Sequence, residues 1–287
     1  MALAITRKRV GEALAVRGWG GQSAAMWKAL ALMAPFALPF PALAGPLVGV
    51  EGDIFVLGEV HDNPAHHVAQ AEAVSDIAPR AVVFEMLTPE QAARVTDTLL
   101  ADPEALGAAL AWEESGWPDF AMYYPIFVAA RGAEIIGGAV PRDRTMGVLE
   151  NGLAASFGDA ADLFGLTDPL PEEELATRLN LQMEAHCGKL PVEMLPDMVD
   201  IQRLRDAVLA RAAITAEAET GGPVAVIAGN GHVREDWGVP AYIARVAPEL
   251  TVVTLGQGED GGTPDGGFAV TIDAPGVDRG DPCAVFE

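Results

Sequence analysis

Six short runs rich in apolar and β-branched residues punctuate the chain: Ile54–Leu57, Val82–Phe84, Glu134–Ile136, Val224–Ile227, Thr251–Leu255 and Phe268–Ile272. Each is bounded by Gly, Pro or charge, and most are apolar throughout instead of alternating. Strands covered on both faces read this way, as parallel strands do. Between them the period lengthens to that of helices. The clearest case runs from Val192 to about Ile214, where Met194, Met198, Ile201, Leu204, Val208 and Ala212 recur at three- and four-residue steps. That is the stripe of an amphipathic helix. Strands alternating with helices predict an α/β layered fold with a mostly parallel central sheet. No strand signal interrupts Leu149–Gln182, which reads as a helical insertion between the two sheet halves. Trp112–Asp119 reads as a loop entering a helix capped by Asp119, and the Gly- and Asp-rich Gly256–Gly267 as a second loop.

The first 44 residues stand outside this alternation. Met26-Trp27-Lys28 opens an apolar run that ends Pro41-Ala42-Leu43-Ala44. One lysine, an apolar stretch too short to span a bilayer comfortably, and a small-x-small ending predict a secretory signal peptide cleaved between Ala44 and Gly45. Residues 1–25 add nothing a signal needs, so Met26 is an alternative start. Pro35, Pro39 and Pro41 count against an uncleaved anchor, and no cysteine follows the cleavage point to take a lipid. The expectation is a soluble periplasmic or secreted protein with one domain over residues 45–287 and no stable membrane anchor.

Charge narrows the partners. The chain holds 41 acidic and 18 basic residues, a net charge of −23. Such a surface repels phosphate backbones, which argues against nucleic acid. It attracts cations and gives no long-range help to anionic ligands. Two cysteines, Cys187 and Cys283, remain in the mature chain. In an exported protein a disulfide is the leading account of such a pair. The alternative, a Cys/His metal site using His186 and Cys187, lacks any C-x-x-C partner.

The candidate chemistry gathers at strand ends. Of the five histidines, His61, His66 and His67 fall within seven residues just after the first strand. His232 follows the Val224–Ile227 strand through a tight Gly229-Asn230-Gly231 turn, and Glu85 ends the second strand. Three strands thus each deliver a ligating or acid/base group at their carboxyl ends, where open α/β sheets bind ligands. Gly58, Gly229 and Gly231 are expected to take positive φ and turn the next histidine back across the sheet. Two histidines and a carboxylate (His61, His232 and Glu85) suit a divalent transition metal, with Glu59 or Asp62 as a further ligand or second-sphere partner. His66 and His67 fit the first turn of a helix, with Gln70 on the face of His67. Gln202 and Asp206 either face the site or form a surface pair. Tyr123 and Tyr124 precede Pro125 in an apolar helix, where packing explains at least one of them. The chain has no G-x-x-x-x-G-K-[ST], H-E-x-x-H or G-x-S-x-G, and no G-x-G-x-x-G after a strand, which removes most support for nucleotide binding and serine-hydrolase chemistry.

The phrase Val56-Leu57-Gly58-Glu59-Val60-His61-Asp62-Asn63-Pro64-Ala65-His66-His67, followed by Phe84-Glu85-Met86, resembles the ChaN-like family of haem-binding uptake proteins, within the TIKI, TraB and erythromycin-esterase superfamily. The match continues through Trp117-Pro118, Tyr124-Pro125, His186-Cys187, Gln202 to Asp206 and Gly229 to His232, and closes with Asp281-Pro282-Cys283. The resemblance implies a three-layer α/β/α fold and two activities. In the first, haem or iron is bound in iron uptake, in some members as a dimer holding haem between subunits. The cofactor-binding residues would then be His61, His67 and Tyr124, a tyrosinate being a known haem ligand. In the alternative, a metal-dependent hydrolase of the TIKI or esterase type holds a divalent metal at His61, His232 and Glu85. Glu59 or Glu85 would then take the proton from metal-bound water. One departure stands out: many ChaN relatives are lipoproteins, whereas this chain offers no cysteine to lipidate.

Overall fold

The computed structural model describes residues 45–281 and 283–284, so the leader and its cleavage point lie outside the described residues. Six strands form one sheet: β1 (Ile54–Leu57), β2 (Ala81–Phe84), β3 (Glu134–Gly137), β4 (Val224–Ile227), β5 (Val252–Glu259) and β6 (Val270–Ala274). Their order is β3-β2-β4-β1-β5-β6, and every pair is parallel. The apolar runs have this physical cause: β1, β2 and β4 are buried at every position. The edge strand β6 alternates instead, with Thr271 and Asp273 exposed.

Helices cover both faces. On one lie α1 (Pro64–Ile77), the short α2 (Pro89–Ala92), α3 (Pro103–Ala109) and α4 (Phe120–Ala129). Phe55, Leu57, Phe84 and Ile227 point to this side and pack with Val74 of α1 and Phe127 of α4. The other face receives Ile54, Val56, Val224 and Val226. Between β3 and β4 run α5 (Arg142–Asn151), α6 (Leu153–Phe157), α7 (Glu172–Ala185) and the long α8 (Leu195–Thr220). Leu204 and Leu209 of α8 fill this second core. After β4 come α9 (Asn230–Val233) and α10 (Val239–Val246). This is a three-layer α/β/α sandwich, with successive strand residues feeding opposite cores.

Two boundaries differ from the sequence reading. The apolar stripe begins as a 3-10 turn at Val192–Met194, and the α-helix runs from Leu195 on to Thr220, where Gly221 caps it at φ 76°. Strand β5 continues through Gly256-Gln257-Gly258 to Glu259, residues whose composition signals a loop. Pairing with β6 overrides that signal, and the Phe268 ring occupies the space a side chain at Gly256 would need.

Cys187 and Cys283 form a disulfide with Cα atoms 5.7 Å apart. It ties the C-terminal segment to the end of α7.

Candidate functional site

The carboxyl ends of β1, β2 and β4 sit side by side, because β4 lies between β2 and β1 in the sheet. The loop after β1 is held first through its backbone. The Gln70 side chain donates to the Leu57 and Gly58 carbonyls, and Gln257 from β5 donates to the carbonyls of Gly58 and His66. His66 accepts the Val60 N–H at Nδ1 and donates from Nε2 to the Gly258 carbonyl. Both its nitrogens are thereby used, and burial lowers its pKa, so it is a neutral brace. Asn63 caps α1 by accepting from the Ala65 N–H.

Glu59, buried in this loop, is the hub of the first half of the site. Its Oε1 accepts from His61 Nδ1 at 2.7 Å and from the Tyr123 hydroxyl at 2.8 Å. His67 Nδ1 lies 3.3 Å from Oε2, and His67 Nε2 donates to the His61 carbonyl. Burial disfavours the Glu59 charge, but the two histidines outweigh it and its pKa is lowered. The same contact makes Tyr123 a weaker acid, through burial first and then the Glu59 charge. Burial also opposes charge on His61, yet the Glu59 hydrogen bond and the Glu85 carboxylate raise its pKa overall.

The second half is built on β2, β4 and α8. Glu85 Oε2 accepts from the Gly229 N–H at 2.8 Å, and Oε1 lies 3.3 Å from His232 Nε2. His232 Nδ1 donates to Asp206 Oδ1 at 2.6 Å. Burial would discharge His232, but flanking by Glu85 and Asp206 pushes its pKa up to about 10. Glu85 falls to about 2 despite its burial, chiefly through the His232 charge. At neutral pH the centre therefore holds an imidazolium between two carboxyl groups.

Glycine serves this site by close approach, not by positive φ. Gly229 has φ −63°, and a Cβ there would sit 2.9 Å from His61 Nε2. At Gly58 a Cβ would collide with the Asn230 side chain and the Leu255 carbonyl. Gly231 meets neither constraint. The space beside His61 Nε2 thus exists because position 229 has no side chain, and Nε2 has no hydrogen-bond partner among the described residues.

A cavity of about 350 Å3 opens here, with His61, Gly229, Gly231 and His232 on its floor and Leu181 and Gln182 of α7 on its wall. Trp117 packs edge-on against the His61 ring at 4.8 Å. Of the residues singled out from sequence, His61, Glu59, Glu85 and His232 come together. His67 comes close as well, but it is fully buried and faces Glu59 and the loop backbone, away from the cavity. Tyr124 does not join them: its hydroxyl donates to the Leu100 carbonyl. The tyrosine at the site is Tyr123, one helical step of 100° away, a choice the sequence pattern could not make. Asp206 faces the site, three residues after Arg203 and four after Gln202, which lines the same cavity. His186 donates from Nδ1 to the Gln182 carbonyl beside the disulfide. Among the described residues no group of three or more His, Cys, Asp or Glu side chains is arranged to hold a metal ion.

The family model for haem-binding uptake proteins of the Tiki superfamily, ChaN, matches residues 50–243. The chain belongs to the ChaN family. The matched span runs from just before β1 into α10 and includes every strand-end residue described above. A solved ChaN from Campylobacter jejuni, with haem bound cofacially, shares the fold at a TM-score of 0.52 and 19% identity. That alignment covers 72% of this chain and 81% of the Campylobacter chain. An erythromycin esterase mutant in its open conformation aligns at a TM-score of 0.40 and 15% identity, over 72% of this chain and 70% of that one. No curated protein sequence matches this ChaN-family chain.

Proposed function

We propose that this protein binds haem at the carboxyl edge of the sheet, with His61 as the axial ligand, and serves iron uptake outside the cytoplasm. The observation that carries this reading is the state of His61. Its Nδ1 is fixed by Glu59, its side chain keeps 36% exposure, and its Nε2 faces the space left by Gly229. A carboxylate that holds one imidazole nitrogen orients the other toward a metal centre and raises its basicity. Haem supplies the iron that such a nitrogen coordinates. The other two haem-ligand candidates are less suited, since His67 is buried against Glu59 and the Tyr124 hydroxyl is engaged with Leu100. Leu181 of α7, which lines the cavity, is 37% exposed. A second copy covering the haem over that exposed side chain is part of this reading, and the cofacial haem of the Campylobacter ChaN is compatible with it.

The expected export rests on the leader over residues 1–44, cleaved to give a mature domain over 45–287. The Cys187–Cys283 disulfide supports an oxidising compartment. Among the described residues no helix is long and apolar enough to cross a membrane.

The metal-dependent hydrolase reading finds less support. His232 is engaged at both ring nitrogens, by Asp206 at Nδ1 and Glu85 at Nε2, so a metal ion would have to displace one of these partners.

Titration of the purified protein with ferric haem tests the proposal. A saturable Soret shift in the wild type, lost or strongly weakened in H61A and retained in Y124F, is the expected result. Unchanged binding by H61A would move the iron ligand elsewhere. No saturable binding by the wild type would overturn the haem reading.

A further inference from the structure

A second cavity, of about 290 Å3, lies on the far side of Glu85, between the ends of β2 and β3 and helix α8. Trp117, Arg142 and Arg205 line it together with Glu85. Neither guanidinium has a hydrogen-bond or ion-pair partner among the described residues. In a chain with 41 acidic and 18 basic residues, acidic partners are abundant, and Arg178, Arg203, Arg234, Arg245 and Arg279 all have one. Arg205 of α8 is half-buried, one residue before the Asp206 that holds His232, and Arg142 is exposed as the first residue of α5. Pro141, which opens α5 without a side-chain cap, lines the same cavity. Both Glu85 oxygens are already engaged, Oε2 by the Gly229 N–H at 2.8 Å and Oε1 by His232 Nε2 at 3.3 Å. The Trp117 indole joins the two cavities: it lines this one while its ring packs on His61.

We infer that Arg142 and Arg205 form a carboxylate-binding subsite that takes the propionates of the haem proposed to bind at His61. The inference rests on that haem reading. Arginine forks pair with carboxylates in a bidentate manner. A ligand carrying two carboxylates approaches an acidic protein against its field, and a local pair of unpaired arginines supplies the attraction that the rest of the surface withholds. It would also fix the rotation of the macrocycle about the iron–His61 axis.

The test compares ferric haem with its own dimethyl ester, the same macrocycle with both carboxylates esterified, on wild type, R142Q, R205Q and R205K. Wild type should bind haem at least tenfold more tightly than the ester. Each Gln variant should lose about tenfold on haem while leaving ester affinity unchanged, and R205K should recover part of the loss. Arg142 is exposed, so R142Q tests the subsite without touching the core, and thermal melts identify any variant that fails to fold. Equal loss on haem and ester, or no loss in either Gln variant, would overturn the subsite while leaving haem binding intact. A wild type that binds neither ligand would instead overturn the haem reading itself.

Discussion

At the scale of single residues, the site divides into one half built around Glu59 and one built around His232, and Glu85 neighbours both. Glu59 gathers His61, His67 and Tyr123 around one buried carboxylate, whereas His232 is locked between Glu85 and Asp206. The shifts set a pH window. His232 is raised from 6.5 to about 10, so the stability it contributes is complete below its ordinary pKa and is lost progressively as pH rises through about 10. Glu85 is depressed from 4.5 to about 2, so its share is present above 4.5 and lost as pH falls through about 2. The His232 ring should therefore remain protonated across neutral pH when followed by NMR titration. Asp206→Asn should move its midpoint downward, because one of the two flanking carboxyl groups is gone. An unshifted midpoint in that variant would mean Asp206 does not hold the imidazolium.

At the scale of elements, α7 and the C-terminal segment act on the site from outside the sheet. Helix α7 walls the cavity with Leu181 and Gln182, and the Cys187–Cys283 bond fastens its end to the tail across 96 positions. The tail is held a second time by Arg279, whose guanidinium donates to both Asp62 and Glu259. Asp62 immediately follows His61, so the tail, α7 and the β1 loop are linked around one opening. Removing the disulfide by Cys187→Ala together with Cys283→Ala should lower stability toward unfolding by up to about 4–5 kcal/mol in the chain-entropy account. A urea melt of the double variant measures this, and an unchanged midpoint would show that the loop is already constrained without the bond.

At the scale of the whole molecule, the excess of negative charge governs how ligands arrive. With a net charge of −23, the protein repels the two haem propionates at distances longer than the reach of Arg142 and Arg205. Added salt screens that repulsion. The association rate with haem should therefore rise as ionic strength increases from about 10 mM to 150 mM, over which the Debye length falls from about 30 Å to about 8 Å. Stopped-flow mixing at fixed pH reads the effect, and a rate that falls with salt would show that the local arginines dominate the encounter.

The sequence by itself determined the layers and the place of the chemistry. Uninterrupted apolar runs can be satisfied only between two covering layers, and that fixed β1, β2 and β4 as interior parallel strands. Their carboxyl ends then had to carry Glu59, His61, Glu85 and His232, because each follows its strand within a few residues. Only tertiary structure decided the partners. Whether Tyr123 or Tyr124 faces Glu59 depends on the rotation of α4 about its axis, and whether Asp206 reaches His232 depends on how α8 lies over β4. The glycine before Asn230 illustrates the difference. Its presence was evident in the sequence, but its cause is the His61 ring pressed against it, 168 positions earlier in the chain. Local pattern reports what each segment must bury, and contact between distant segments sets which polar groups meet.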